Sequence, residues 1–364
     1  MDVSSRLGRL RPKLAAAGCD GLLVTSLDNI SYLTGFTGSA AMLLVTASSA
    51  LFCSDGRYDE QSAAQLAAAG VEAERQIGRP PEQLQALGQA ARGIGRLGVE
   101  AHAISWAEKR RLAEVLVENG ADGEIVATDG LVEELRLVKD GGELDRIELA
   151  AEVADIALAQ VKHRLGDGLT EAEFALELDF EMRRRGADDV SFETIVGSGP
   201  NGALPHHRPG GRRIEEGDVV VIDFGALVDG YHSDMTRTLT VGTPSLPEMV
   251  ELIDAVLVAQ RAGVRALRPG AKCADVDAAC RESLRQAGYG ELFVHGTGHG
   301  VGLQIHEAPS LAVGSADILE EGAVVTVEPG AYLPGVGGAR IEDTLVVTAS
   351  GARPLTKSTK DTSL

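Results

Sequence analysis

Basic residues are in short supply. Across 364 residues, 34 lysines and arginines face 54 aspartates and glutamates, a formal charge of −20. Such a field repels phosphate backbones and anionic lipid headgroups, which argues against nucleic acid and membrane surfaces as partners. Cysteine is sparse as well. Cys19, Cys53, Cys273 and Cys280 form no Cys-x-x-Cys pair and no framework spacing, so the expectation is reduced, buried thiols in a reducing compartment. Long apolar runs are missing. No segment approaches the ~18 residues of a membrane span, and the opening MDVSSRLGRLRPKLAAAG lacks the apolar core of a signal peptide. A soluble, cytoplasmic protein is expected. No G-x-G-x-x-G follows a strand and there is no phosphate loop, so no nucleotide-binding residues are assigned.

What is present suffices for two ordinary cores, with 44% of residues hydrophobic. Up to about residue 130, buried strand-like runs (21–26, 41–46, 49–54) alternate with amphipathic helical ones (81–92, 105–118). This describes a small α/β domain, placed at 1–133. After the Lys139-Asp140-Gly141-Gly142 break the pattern changes. A long helix carries Leu144, Ile147, Ala151, Ala154 and Leu158 on one face, a second opens at Thr170 with Glu173 in a capping box, and β-rich sequence follows. Two more helices and two more strand-like runs, 323–330 and 339–347, repeat that order. Residues 134–364 are therefore read as an α+β domain of two similar halves.

The stretch VVVIDFGALVDGYHSDMTRTLTV (219–241) is the most informative. Asp229-Gly230 is a type I′ turn signal between apolar strands. A turn there pairs Val228 with Tyr231, Gly225 with Asp234, and Asp223 with Thr236. Asp223 and Asp234 then share a face as diagonal neighbours. Two unpaired carboxylates in a buried hairpin repel each other and resist desolvation, and cations resolve that conflict. The bland alternative is an ion pair with Arg237, which accounts for one acid and leaves the other. Glu328, ending VVTVE, and Glu342, in ARIEDTLVV, repeat the theme. Arg340 lies two residues before Glu342, on the same face of an uninterrupted strand, where it could orient that carboxylate or a substrate.

Between the acids lies VHGTGHGVGLQIHEAP (294–309). His295 and His299 have helical metal-pair spacing, but the four glycines within 296–302 favour a loop leading into a strand. His306 adds a third histidine, and His206 follows Pro205 in another turn-rich loop. Any one of them alone would be read as a hydrogen-bonded structural residue; their clustering beside buried acids favours function. His102, His163 and His207 are read as structural or surface, and His232 shares the face of Asp234 without a clear role.

As an ordered set, DFG…SDMTRT, HGTGHGVG, HEAP, VEPG and RIED, with ALPH upstream, residues 140–350 resemble the pita-bread-fold peptidases. These are the Xaa-Pro aminopeptidases, Xaa-Pro dipeptidases (prolidases) and methionine aminopeptidases. The N-terminal region resembles the creatinase-type α/β domain of the Xaa-Pro members, which disfavours methionine aminopeptidases. The resemblance implies an α+β pita-bread domain with two pseudo-symmetric halves. It implies that Asp223 binds one metal ion, that His299 and Glu328 bind another, and that Asp234 and Glu342 bridge the two. It also places His206, His295 and His306 around the substrate and makes Glu328 the proton-handling carboxylate. This oxygen-rich set suits a hard ion; the resemblance favours Mn²⁺, with Co²⁺ or Zn²⁺ as alternatives, and a homodimer. The function it implies is hydrolysis of the N-terminal Xaa-Pro bond of a peptide by a hydroxide bridging two metal ions. Ser310 follows HEAP where some dipeptidases of the family carry arginine, which favours an aminopeptidase. An Xaa-Pro dipeptidase is the alternative, and a small-molecule hydrolase or lyase of the same fold a further one.

Overall fold

The computed structural model describes every residue from 1 to 364 and divides them into two units, Met1–Arg136 and Leu137–Leu364. In the first, β1 (Gly21–Val24), β2 (Ala41–Thr46), β3 (Ala50–Ser54), β4 (Glu74–Ile77), β5 (Arg96–Glu100) and β6 (Glu124–Thr128) form one mixed sheet, ordered β4-β3-β2-β1-β5-β6. β1 pairs antiparallel with β2, and β2 with β3. The β3–β4 and β5–β6 pairs are parallel, because a crossover is needed to return the chain in the same direction. The helices α3 (Asp59–Ala68) and α5 (Trp106–Glu118) make those two crossovers, and α1 (Arg6–Ala16), α2 (Leu27–Thr34), α4 (Pro80–Ala90) and the short α6 (Glu133–Arg136) complete the unit. Ser105 caps α5 in a reciprocal box with Glu108, which is why that helix starts where it does.

The second unit runs through two rounds of one plan. In the first round, α7 (Gly141–Val161) and α8 (Glu171–Arg184) precede β7 (Asp189–Val190), β8 (Ile195–Ser198), β9 (Val219–Phe224), β10 (Ala226–Val228), β11 (Tyr231–His232) and β12 (Met235–Thr240). Asp140 and Thr170 each cap a helix in a box with a glutamate three residues on. In the second round, α9 (Pro247–Ala266) and α10 (Cys273–Gln286) precede β13 (Gly298–Gly300), β14 (Glu307–Leu311), β15 (Val324–Val327), β16 (Gly330–Leu333), β17 (Gly337–Arg340), β18 (Asp343–Thr348) and β19 (Gly351–Pro354).

Each round has its own core. Ala154, Leu158, Phe174, Leu178 and Met182 of α7 and α8 pack with Val220, Ile222, Phe224 and Met235. Leu252, Val256, Val276 and Leu284 of α9 and α10 pack with Val325, Val327, Leu345 and Val347. Large side chains such as Phe174, with no exposed surface, contribute about 3–5 kcal/mol each against truncation to alanine. The inward face of each sheet is thus committed to helices. The strand ends that carry the acids are left to meet each other.

Candidate metal centre

The first hairpin follows the turn chemistry. Asp229 and Gly230 both have positive φ, 49° and 80°, the left-handed pair that a type I′ turn demands. Val228 pairs with Tyr231, and Thr236 with Asp223, in one continuous register. At Gly225 the ladder is interrupted, and a Cβ there would lie 1.9 Å from the Ser233 carbonyl oxygen. Only glycine lets the two chains approach so closely beside Asp234.

The second pair of acids also stands where a hairpin passes from one sheet to another. The β15–β18 ladder ends at Val327 opposite Asp343, and Glu328 and Glu342 lie one step beyond. Between them the chain leaves for a separate two-stranded sheet, β16–β17. The expected single strand through 339–347 is therefore two strands in two sheets, although Arg340 and Glu342, one on each side of the break, still face the same space. The two halves meet here. The Glu342 N–H donates to the Thr236 carbonyl at 3.1 Å, Thr236 Oγ1 donates to Glu342 Oε2 at 2.7 Å, and Thr344 Oγ1 donates to the Asp234 carbonyl at 2.8 Å.

This junction concentrates negative charge away from water. One ligand atom each from Asp234, His299 and Glu342 lie within 4.8 Å of one another. Burial, then the charges of Asp223 and Glu328, push the Asp234 carboxyl well above its usual range. Burial, then Asp234 and Glu328, do the same to Glu342. Glu328 is also raised by burial, against the pull of His299 and Arg340. Asp223 Oδ1 and Glu342 Oε1 are buried with no hydrogen-bond partner. His299 Nδ1 faces the Gly300 carbonyl at 3.0 Å, which can only accept, so Nδ1 carries the proton. The Nε2 lone pair then faces Asp234 Oδ2 and Glu328 Oε1, both at 3.4 Å. Acceptors converging on acceptors, with two orphaned carboxylate oxygens, form a donor set that fits divalent cations and little else.

Arginine pairing departs from expectation. Arg237 does not serve Asp223 or Asp234. Its Nη2 donates to Asp343 Oδ1 at 2.9 Å, and Nη1 donates to the Glu342 carbonyl. Arg340 instead donates from Nη2 to Asp223 Oδ2 at 2.5 Å, from Nη1 to the Tyr332 hydroxyl at 2.9 Å, and from Nη1 to the Pro205 carbonyl at 3.2 Å. So Arg340 orients a carboxylate of the opposite half.

A cavity of about 540 Å³ opens over the acids. Asp223, Asp234, His299, Glu328, Arg340 and Glu342 line it, as do His206, His295 and His306. Every residue singled out for the site therefore faces one space. The three histidines differ in what they can do there. His306 is exposed to the cavity, its ring centroid 4.3 Å from that of His299. His206 is exposed to it as well. His295 is more enclosed: Nδ1 faces the Gly296 carbonyl and Nε2 the Tyr332 hydroxyl, both at 2.8 Å. Burial, then the Arg340 guanidinium, hold the pKa of His295 down to about 4. His295 is therefore neutral, with both ring nitrogens engaged by the protein. His207 pairs with Glu171 and His232 with Ser191, each at 2.8 Å, and His102 lies 3.3 Å from Glu133.

Comparison with known proteins agrees with this architecture. Residues 6–138 match the creatinase/prolidase N-terminal domain, and residues 145–349 match metallopeptidase family M24. The chain belongs to metallopeptidase family M24. Among solved M24-like structures, an Xaa-Pro dipeptidase from Bacillus anthracis superimposes with a TM-score of 0.92 at 40% identity, covering 99% of both chains. An X-Pro aminopeptidase from Thermotoga maritima gives 0.89 at 33% identity, covering 99% of this chain and 100% of its own. A sequence relative from Pyrococcus horikoshii, also an Xaa-Pro dipeptidase, is 34% identical over 347 residues, 94% of each chain. The pita-bread fold with its creatinase-type domain is thereby established. No helix is long and apolar enough to cross a membrane.

Tyr332 was missed from sequence. Its hydroxyl joins His295 to Arg340, and hence to Asp223, within the M24 domain. It sits in β16, the hairpin inserted between Glu328 and Glu342, and no local pattern marks it.

Proposed function

We propose that this chain is a dinuclear metallopeptidase that hydrolyses Xaa-Pro dipeptides, an Xaa-Pro dipeptidase (prolidase). The observation that carries the reading is the group of buried carboxylates at the cavity wall, with orphaned oxygens on Asp223 and Glu342 and a histidine lone pair aimed between two acids. Asp223 would hold one ion, His299 and Glu328 the other, and Asp234 and Glu342 would bridge them. Two divalent ions held there would bring the pKa of water towards neutrality and polarise the scissile carbonyl.

The side chains supply the remainder. Glu328 takes the proton of the attacking water on a carboxylate oxygen and returns it to the proline nitrogen as the C–N bond breaks. His306, whose pKa is lowered by partial desolvation and then by His299, offers a ring N–H to the carbonyl oxygen as charge develops on it, with His206 beside it in the same cavity. Arg340 fixes Asp223, and Tyr332 ties Arg340 to His295. Phe192, Ile195, Ile305 and Ala312 line the cavity and suit a pyrrolidine ring, whose nitrogen has no N–H to satisfy.

The dipeptidase reading draws on the names of the full-length relatives from Bacillus and Pyrococcus and replaces the aminopeptidase expected from Ser310. A cation for the proline carboxylate is at hand in Arg208, which lines the same cavity. The Thermotoga relative and Ser310 favour an Xaa-Pro aminopeptidase as the second reading. Manganese as the native metal and a homodimeric assembly go with the proposal, to be checked by elemental analysis and sedimentation. The deciding assay compares Ala-Pro, Ala-Pro-Ala and Ala-Ala on manganese-loaded protein. A dipeptidase cleaves Ala-Pro with the highest kcat/KM, and a shape-based preference of a few kcal/mol sets Ala-Ala on the order of a hundredfold lower. Faster turnover of Ala-Pro-Ala moves the assignment to an aminopeptidase. Equal rates on Ala-Ala remove the proline specificity, and no cleavage of any of the three leaves the small-molecule reading.

A further inference from the structure

Glu171 is the first residue of α8, directly after the N-cap Thr170, and its side chain is fully buried. An acid at a helix N-terminus gains from the dipole while exposed, so its burial needs another cause. Oε1 accepts from the Ser198 N–H at 2.8 Å, from Ser198 Oγ at 2.7 Å and from Asn201 Nδ2 at 3.0 Å. Oε2 accepts from His207 Nε2 at 2.8 Å, from Asn201 Nδ2 at 3.1 Å and from the Gly210 N–H at 3.3 Å. Ser198 and Asn201 lie before Pro205 and His206 in the chain, and His207 and Gly210 lie after them. One carboxylate therefore fastens both sides of a loop that carries a cavity histidine at its centre.

The loop has few other fixings near that centre. The His207 N–H donates to the Leu204 carbonyl at 3.1 Å, closing a tight turn around Pro205 and His206. The Pro205 carbonyl accepts from Arg340 Nη1 at 3.2 Å. Burial opposes ionisation of Glu171, but the donors from Ser198, His207 and Asn201 outweigh it and hold the carboxyl below its usual range. An anion accepting all of these bonds holds its donors more tightly than a neutral group would. Arg212 pairs directly with Asp218 at 2.6 and 2.9 Å and reaches Glu171 only through Ser198, to whose Oγ its Nη1 donates at 2.6 Å, while feeling the Glu171 charge at longer range. Glu171 does not line the cavity.

We infer that Glu171 is a positioning residue for His206, acting on the reaction through the loop 198–210 and not by contact with substrate. The inference rests on the reading that His206 touches the substrate. The test is a double-mutant cycle on the full-length, manganese-loaded enzyme, with kcat/KM on Ala-Pro, metal content and unfolding midpoint measured for each variant. His206→Ala should lower kcat/KM by at least about tenfold with metal content unchanged. Glu171→Ala should lower it comparably and also lower the unfolding midpoint. The double variant should be no slower than His206→Ala alone, because a misplaced histidine and an absent one cost the same step once. A general structural defect predicts the opposite, losses that multiply, and that outcome overturns the inference. Glu171→Gln covers the case in which the alanine variant does not fold. Its carbonyl keeps the Ser198 and Asn201 side, and its amide faces His207, whose ring can switch tautomer, while the long Gly210 N–H bond is lost. It should lose less than the alanine variant in the His206 background and nothing in the His206→Ala background; equal losses in both backgrounds overturn the inference. Wild-type kinetics in His206→Ala would instead remove the reading of His206 itself, a result distinguishable from multiplying losses.

Discussion

The two halves of the M24 domain deliver two acids each, and both do so where a hairpin passes from one sheet to another. In the first half the acids are staggered: Asp223 is still paired, with Thr236 in the β9–β12 ladder, while Asp234 lies in the gap before the β10–β11 pair, which belongs to a separate sheet. In the second half Glu328 and Glu342 flank a hairpin that belongs to another sheet, and they stand one residue past the last pair of the β15–β18 ladder. The arginines are exchanged between halves: Arg237 of the first pairs with Asp343 of the second, and Arg340 of the second pairs with Asp223 of the first. Stitching of this kind makes the acid cluster a product of the junction. Neither half holds it alone.

The junction breaks hardest at the shared acids. Asp234→Ala and Glu342→Ala should lose metal occupancy and all measurable activity, since each is proposed to bridge two ions; full metal content in either, by elemental analysis after gel filtration, contradicts the bridging assignment. The same cluster sets a pH dependence. In chelator-treated protein the folded pKa values of Asp234 and Glu342 lie above the ordinary carboxylate range, for burial first and neighbouring acids second. Protons are then bound more tightly in the folded state, so stability is highest at or below the unfolded carboxylate pKa of about 4 and falls as pH rises towards the folded values. The unfolding midpoint of metal-free protein should drop between pH 4 and 7, while metal-loaded protein should show no such drop. Parallel profiles with and without metal would mean that the carboxylates are not the source.

The exchanged arginines separate stability from chemistry. Arg237 is nine-tenths or more enclosed (1% exposed), donates to the Glu342, Ser358 and Thr359 carbonyls, and meets Asp343, which also pairs with Lys360. Removing one partner of such a pair typically costs about 3–5 kcal/mol, so Arg237→Met should show that loss in urea unfolding. Arg340→Met should cost less stability in metal-loaded protein, because cations beside Asp223 compensate its charge. Its loss should fall on activity, about 10–100-fold, as for a group that orients a metal ligand. Equal stability losses with equal activities would erase the distinction.

Legibility divides along the same line. The first hairpin could be read because its turn is two adjacent residues of special chemistry, and the register they set carries through the change of sheets at Gly225. Thr170 and Glu173 were readable for a similar reason, since a capping box lies within four residues. Residues 339–347 read as one strand because nothing in the run marks the passage from β17 to β18 at Ile341. The Tyr332 link was illegible because it joins His295, 37 residues away, to Arg340 across a hairpin that no local pattern marks, and the buried Lys139–Glu307 pair, 2.7 Å apart, because its members lie far apart in sequence. Glu171 looked like any first-turn helix acid; only its burial gives it away.

The histidines sharpen the comparison at the next level. His306→Ala should keep fold and metal and lower kcat by about 10²-fold, the usual scale for a group acting on the transition state. His295 has both ring nitrogens occupied by Gly296 and Tyr332, so His295→Ala should act through Tyr332 and Arg340, with a smaller loss of kcat. A larger loss for His295 than for His306 would show that the Tyr332 contact gives way when substrate binds.

The smallest effect belongs to the cavity mouth. Arg208 and Glu193 both line the cavity, and their side chains lie 3.3 Å apart while remaining largely exposed, at 83% and 66%. If Arg208 receives the carboxylate of a dipeptide, it must exchange Glu193 for the ligand, and both partners are wet. Exposed ion pairs are worth about 0.2–1 kcal/mol, so Arg208→Ala should raise KM for Ala-Pro by no more than about fivefold. KM for the amide Ala-Pro-NH₂, which presents no charge at that point, should not change. Added salt should shrink the difference between the two substrates in the parent enzyme and leave the variant unaffected, because the interaction is screened within about 10 Å at 0.1 M salt. Glu193→Gln should act in the opposite direction, lowering KM for Ala-Pro by releasing Arg208 from competition. Should Arg208→Ala raise KM for the acid and the amide alike, the carboxylate is read elsewhere, and Arg208 serves only to shape the opening.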